Sequence, residues 1–147
     1  MIASQIYANN IIVGNLGSKI QGEVISTFRY PWSISFLNND HLLVATKPGK
    51  MWLLDSLGSK IEVKNMVSVE YGGQGGMGDV VPHPNYSINH FIYLSYITSD
   101  DGGQTRYAVV DQAILRDLSS PKLENIERIW EQFPAVKGKG HFSHRIA

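Results

Sequence analysis

The chain has 147 residues, with 13 lysine or arginine residues, 13 aspartate or glutamate residues and no cysteine. This length fits one ordinary domain or a part of a larger one. Zero formal net charge and the lack of a basic run argue against nucleic acid or an anionic membrane surface as the main partner. The absence of cysteine excludes disulfides, thiolate nucleophiles and cysteine-bound zinc. No stretch approaches the roughly 20 apolar residues of a membrane span, and residues 1–20 lack a signal-peptide pattern.

Short strand-like runs separated by turn residues dominate the sequence, and sustained helical periodicity is hard to find. Four runs joined by tight turns predict an antiparallel meander, at residues 32–36, 41–45, 51–54 and 60–63. A second set of four runs follows, at residues 79–81, 91–96, 107–115 and 126–130. Residues 141–147 are expected to form the first strand of a third set.

These repeats predict an all-β fold, a β-propeller with about two blades plus the first strand of a third. The first unit, of about 46 residues, fits the 40–50-residue period of propeller repeats, and the second, of about 66 residues, is longer because of the loops at residues 99–104 and 118–125. A β-sandwich is the alternative, because it also uses many short strands. Two blades cannot close a ring, so we expect a fragment of a longer protein that exposes strand edges and self-associates.

A glycine-rich stretch at residues 72–79, GGQGGMGD, precedes the first strand of the second unit. Glycine permits positive φ and close approach to the main chain, so this loop can hold Gln74 over a cavity. A flexible turn is the alternative. In a propeller the first strands line the central channel, and blade equivalence therefore predicts Gln74 and His141 at one end of that channel. Such a pair suits acid–base chemistry and substrate orientation, although an exposed loop histidine remains the alternative for His141.

Several motifs occur together in a characteristic order: Pro31-Trp32-Ser33, Gly73-Gln74-Gly75-Gly76 with Asp79 and His83-Pro84, Ile92-Tyr93-Leu94-Ser95-Tyr96, and Gly140-His141-Phe142 with Arg145. This set resembles the N-terminal part of the soluble aldose sugar dehydrogenases that depend on pyrroloquinoline quinone (PQQ). They are also called the glucose/sorbosone dehydrogenase family and are six-bladed propellers. The resemblance covers residues 21–147 and leaves residues 1–20 outside it as an N-terminal extension.

The resemblance implies a quinoprotein oxidoreductase that oxidises the C1 hydroxyl of aldose sugars to the lactone. His141 matches the catalytic base that removes the hydroxyl proton while hydride passes from C1 to PQQ. Gln74 matches a glutamine that contacts the substrate or cofactor. Arg145 matches a first-strand arginine, and we expect it in the same binding region. His144 stands where many relatives have a small residue.

The resemblance also implies cofactors, partners and a location. The cofactors are PQQ and calcium, and most PQQ contacts and the calcium ligands are expected in later blades, outside this chain. The partners are a small sugar and an external electron acceptor, without nucleic acid or membrane insertion, in a periplasmic or secreted full-length parent. The fragment alone is expected to be inactive. Two alternatives stay open: a propeller binding module that does no chemistry, and a propeller lactonase, which would need acidic calcium ligands.

Overall fold

The computed structural model describes residues 10–140 and 142–147, and nearly all of its regular structure is β-strand. A hairpin of β1 (Asn10–Val13) and β2 (Lys19–Gly22) comes first. A four-stranded sheet follows, made of β3 (Pro31–Phe36), β4 (His41–Thr46), β5 (Met51–Asp55) and β6 (Lys60–Glu62). The next sheet contains β7 (Met77–Pro82), β8 (Phe91–Thr98), β9 (Thr105–Ile114), β10 (Glu124–Glu131) and β11 (Val136–Lys137). All eight predicted strands of the two complete units are present, with ends within two residues of the prediction.

Both sheets are antiparallel meanders in which each strand pairs with the next in sequence. The first, here called blade 1, has the order β3-β4-β5-β6, and the second, blade 2, has the order β7-β8-β9-β10. The short β11 continues along β9 beyond β10. The turns carry the expected chemistry: the Asp55 carboxylate accepts hydrogen bonds from the main-chain N–H groups of Leu57 and Ser59. The prediction of two four-stranded units is therefore confirmed.

The helix α1 (Tyr86–Asn89) is a single turn between β7 and β8. Its Tyr86 side chain is buried, and the hydroxyl donates a hydrogen bond to the carbonyl oxygen of Leu115. This contact ties the β7–β8 connection to the end of β9. Over residues 10–140 and 142–147, no helix is long and apolar enough to cross a membrane.

The hydrophobic core is shared by the two blades. Apolar side chains alternate along the inner strands and meet between the sheets, as period-2 patterning requires. Fully buried members include Leu43 and Met51 from blade 1, and Met77, Leu94 and Val109 from blade 2. The Ser35 hydroxyl of β3 donates a hydrogen bond to the Val80 carbonyl of β7. The first strands of the two blades are therefore direct neighbours.

The strands β3 and β7 also run in the same direction. One cleft is lined by residues at the start of both, 32–34 and 78–79, and a second by residues at and beyond their ends, 36–39 and 82–87. Loops entering the first strands of neighbouring blades therefore open at a common end, as the repeat predicted.

Residues 142–147, which belong to the predicted first strand of a third unit, form no ladder within the described residues, as expected for a first strand whose second strand is not in this sequence. Their main-chain groups bond to side chains of blade 2 instead. The Ser95 hydroxyl donates to the His144 carbonyl, and the Ile146 N–H donates to the Asp79 carboxylate at 3.2 Å. The first strand of each blade pairs with the second strand of the same blade, as β7 pairs with β8, and not with the first strand of the neighbouring blade. The segment therefore lies against blade 2 without joining its sheet.

The N-terminal hairpin spans the predicted division between residues 20 and 21. Strand β2 contains both residues and pairs with β1 in the register Val13↔Lys19 to Asn10↔Gly22. The hairpin is apolar and exposed, with Ile11, Leu16 and Ile20 each more than half accessible to solvent. The division into an extension and a propeller part stays a prediction.

Two buried tyrosines predict a loss of stability at high pH. Burial raises the pKa of Tyr86 to about 12, and burial together with the Asp111 hydrogen bond raises that of Tyr96 to about 12. Because the fold favours the neutral phenol, its stabilisation is complete below the unfolded pKa near 10. It is lost as the pH rises from 10 to 12, by about 2 kcal/mol for each tyrosine.

Urea unfolding at intervals from pH 8 to 12 measures this loss. The Tyr86→Phe variant cannot ionise at that position, so its free energy of unfolding should fall less steeply between pH 10 and 12. If plots of the free energy of unfolding against pH stay parallel for the two proteins over this range, Tyr86 is ruled out as a source of the loss.

Candidate active site at the entrance to the first strands

The glycine-rich loop at residues 72–76 has a defined conformation that requires glycine at two points. Gly73 has φ of 56° and Gly76 has φ of 106°. A Cβ on Gly73 would lie 2.5 Å from the Lys139 carbonyl oxygen, and one on Gly76 would lie 2.3 Å from that of Lys47. Both positions therefore need positive φ and close main-chain approach together. The alternative of an unconstrained flexible turn does not fit these contacts.

The main chain of Gln74 is held on both sides, while its side chain is exposed to solvent. Its N–H donates to the Lys139 carbonyl at 3.1 Å, and its carbonyl lies 3.0 Å from His144 Nε2. The ring nitrogen is the donor in this pair, because a carbonyl oxygen can only accept. The main chain of the loop is therefore fixed at Gln74, and the carboxamide at the end of its side chain is free to contact a ligand.

Lys47, in the β4–β5 turn of blade 1, clamps the two ends of the same loop. Its ammonium donates to the Gly73 carbonyl at 2.6 Å and lies 4.7 Å from the centre of the Trp32 ring. Its carbonyl accepts the N–H of Met77 at 2.9 Å. A cation over an indole ring is attracted by the negative face of the π system. Blade 1 thus helps to fix the loop that leads into blade 2.

The imidazole of His144 lies in a recess at an irregularity in β7, and this recess is here called its seat. The register of β7 on β8 shifts between Met77 and Val80, as at a β-bulge. In this interval the Ser95 hydroxyl accepts the N–H of Asp79 at 2.7 Å and donates to the His144 carbonyl. A Cβ on Gly78 would lie 2.3 Å from His144 Nδ1, so only glycine leaves room for the ring. The bulge and the glycine together admit the imidazole.

A cleft of about 300 Å³ lies beside this seat, and Arg145 is at its rim. Its lining comes from the starts of β3 and β7 and from the 142–147 segment: Trp32, Ser33, Ile34, Gly78, Asp79, His144 and Arg145. The Arg145 side chain is 87% exposed, and its Nε lies 3.9 Å from the Asp79 carboxylate. Among the described residues, Ser33 Oγ and His144 Nδ1 are buried without a hydrogen-bond partner. The rim of the cleft therefore offers an exposed guanidinium to a ligand.

The structure describes two of the three predicted site residues. His141 lies outside the described residues. Gln74 is in the loop, and Arg145 lines the cleft. The structure links their segments through His144, which bonds to the main chain of Gln74 and precedes Arg145 directly. Lys139, the other partner of Gln74, precedes His141 by two positions. Trp32 and His144 also line the cleft, although neither was among the predicted site residues.

The cleft fits one edge of a quinone site. PQQ is a planar, tricarboxylic quinone, so its site needs cations, hydrogen-bonding groups and a flat apolar contact. Here an exposed guanidinium and a half-exposed indole line the same space, and Ser33 and His144 belong to its wall. Within the described ranges, no group of three or more histidine, aspartate or glutamate side chains gathers as a metal site.

Neighbouring four-stranded meanders, packed face to face with their first strands side by side, define a β-propeller. Residues 28–147 match the family model described as Glucose / Sorbosone dehydrogenase. The chain therefore belongs to this family.

Individual relatives agree with the family match. The chain is 29% identical over 120 residues to the aldose sugar dehydrogenase YliI of Escherichia coli, a match covering 80% of this chain and 32% of that protein. The crystal structure of a glucose dehydrogenase superposes with a TM-score of 0.73 at 29% identity, over 79% of this chain and 34% of its own. The apo form of the soluble aldose sugar dehydrogenase of E. coli gives a TM-score of 0.73 at 26% identity, over 80% and 34%.

These neighbours confirm the β-propeller and exclude the sandwich alternative. A more distant structure, the PQQ-bound aldose sugar dehydrogenase of Streptomyces coelicolor, shares the fold with a TM-score of 0.62 at 20% identity. The present chain spans about a third of the length of these relatives. It corresponds to a part of the propeller that they contain.

Proposed function

We propose that the whole protein containing this chain is a PQQ-dependent oxidoreductase that oxidises the C1 hydroxyl of aldose sugars to the lactone. Family membership and the aldose sugar dehydrogenase relatives support the oxidoreductase class. The observation that carries the proposal is the double contact of Gln74. Its main chain bonds to Lys139 and His144, which lie on either side of His141 in the sequence.

Each of the three residues then has a chemical task. His141 accepts the proton of the C1 hydroxyl as a neutral imidazole, which is suited to this near pH 7. Gln74 orients the sugar through its carboxamide, whose oxygen and NH₂ group can pair with neighbouring hydroxyls. The guanidinium of Arg145 pairs with a carboxylate of the ligand bound in the cleft. When bound, PQQ supplies the acceptor for the hydride that leaves C1.

The remaining features of the proposal concern the whole protein. Calcium joins PQQ through ligands outside this chain, an external acceptor reoxidises the cofactor, and the protein works in the periplasm or outside the cell. The 147-residue chain alone binds no PQQ and self-associates through its uncovered blade faces. Exposed apolar residues on β3 and β10 support this self-association, among them Ile34, Phe36 and Trp130.

Dye reduction tests the proposed activity. The whole protein is reconstituted with PQQ and calcium and assayed with a panel of aldoses, with sorbitol as the control because it lacks an anomeric hydroxyl. We expect reduction that requires both PQQ and an aldose, and none by the 147-residue chain. Failure of every aldose with bound PQQ would contradict the proposal and favour the non-catalytic binding module. Equal rates with sorbitol would contradict oxidation at C1.

A further inference from the structure

We infer that His144 is a positioning residue for Gln74: its ring holds the glycine-rich loop at the distance from the 142–147 segment that sugar binding requires. This inference rests on the proposed function, because the role of Gln74 in binding the sugar belongs to that proposal. His144 itself is not assigned any contact with the sugar.

The polar contact of the His144 side chain points to the loop. Nε2 lies 3.0 Å from the carbonyl of Gln74, 70 positions earlier in the chain. The other ring nitrogen, Nδ1, has no partner among the described residues. Within the part of the chain that the structure describes, the one hydrogen bond of this side chain is therefore made with the residue that carries the proposed substrate contact.

The ring is held firmly enough to act as an anchor. Its main-chain carbonyl accepts the Ser95 hydroxyl, and the ring packs against the bare Cα of Gly78. Trp32 faces it edge-on with ring centres 6.5 Å apart, and Phe142 approaches it at the same separation. These contacts locate the ring independently of the Gln74 hydrogen bond. Removing only the donor should therefore loosen the loop at Gln74 while the segment stays in place.

A second hydrogen bond holds the other main-chain group of Gln74. The N–H of Gln74 donates to Lys139, five positions before His144. A single residue of the loop is thus bonded to both ends of the short segment that contains His141. The distance between the Gln74 side chain and this segment therefore depends on His144, which lies at one end of the segment.

Two substitutions separate the donor from the ring. His144→Phe keeps an aromatic ring of similar size but has no donor, whereas His144→Gln places an amide NH₂ near the position of Nε2 without a ring. His41→Gln is the matched control, because His41 begins β4 away from this loop and its ring bonds to exposed Asn38. All variants are made in the whole protein with PQQ bound.

Two readouts are compared. Steady-state kinetics should show the KM for the aldose raised by about five- to tenfold in His144→Phe, the size expected for one ordinary hydrogen bond, with kcat within about twofold. Hydrogen–deuterium exchange of a peptide spanning residues 70–78 should accelerate in the same variant. His144→Gln should restore both quantities towards wild type, and His41→Gln should change neither.

The outcomes distinguish this inference from the proposed function. Unchanged exchange and KM in His144→Phe would overturn the inference, and so would equal defects in His144→Phe and His144→Gln, because packing alone would then explain them. Should the wild-type protein oxidise no aldose, the proposed function fails. The exchange measurement still decides whether the His144 donor holds the loop.

Discussion

Replacing His141 by alanine is expected to lower kcat for aldose oxidation by about 10²–10⁴-fold, the range typical of a lost general base. The physical reason is that no other group would accept the C1 hydroxyl proton as hydride leaves. Binding of PQQ should persist, since the proposal assigns its contacts to other residues. Single-turnover reduction of bound PQQ by an aldose measures the chemical step directly.

His83→Ala provides one control for this experiment. The His83 ring lies beyond the end of β7, where its Nδ1 accepts a hydrogen bond from the Asn85 N–H at 2.9 Å. Its loss should affect stability more than turnover. If His141→Ala reduces bound PQQ at the wild-type rate, the histidine has no role as the base.

Replacing Gly78 by alanine is expected to damage both stability and sugar oxidation. The added Cβ would lie 2.3 Å from His144 Nδ1 and 2.6 Å from the Ser95 hydroxyl oxygen. Something must shift, and forcing an extra carbon into a packed site costs about 1–3 kcal/mol. Displacing the His144 ring would also release Gln74, so the KM for the aldose should rise.

Gly140→Ala is the matched control for stability, because a Cβ there meets no atom of the described residues within 4 Å. Chemical denaturation of the two variants compares their free energies of unfolding. A Gly78→Ala protein as stable as Gly140→Ala, with unchanged KM, would show that the ring does not occupy the seat described here.

The strands could be predicted from the sequence because their signals are local. Alternating apolar residues and turn chemistry identify runs such as 32–36 and 91–96, and burial on one face fixes their register. The position of the 142–147 segment depends on contacts that its own residue pattern does not reveal. What decides its conformation is non-local: the Ser95 hydroxyl and the Asp79 carboxylate take its main-chain groups.

The site was predictable only in part. The glycine-rich composition indicated a constrained loop around Gln74, and blade equivalence indicated which end of the strands it would occupy. The seat of His144 depends on a register shift in β7 and on the bare Cα of Gly78, and the pattern of residue types reveals neither. The role of Lys47 is equally hidden, because its contacts join a turn of blade 1 to a loop of blade 2.

A crystal structure of the whole protein with PQQ and an aldose tests the central claim most directly. The quantity to measure is the distance from the imidazole of His141 to the oxygen on the sugar C1. The account predicts a hydrogen bond of about 2.6–3.2 Å, with the carboxamide of Gln74 on the same sugar. A sugar bound elsewhere, or a His141 ring directed away from it into solvent, would contradict the account.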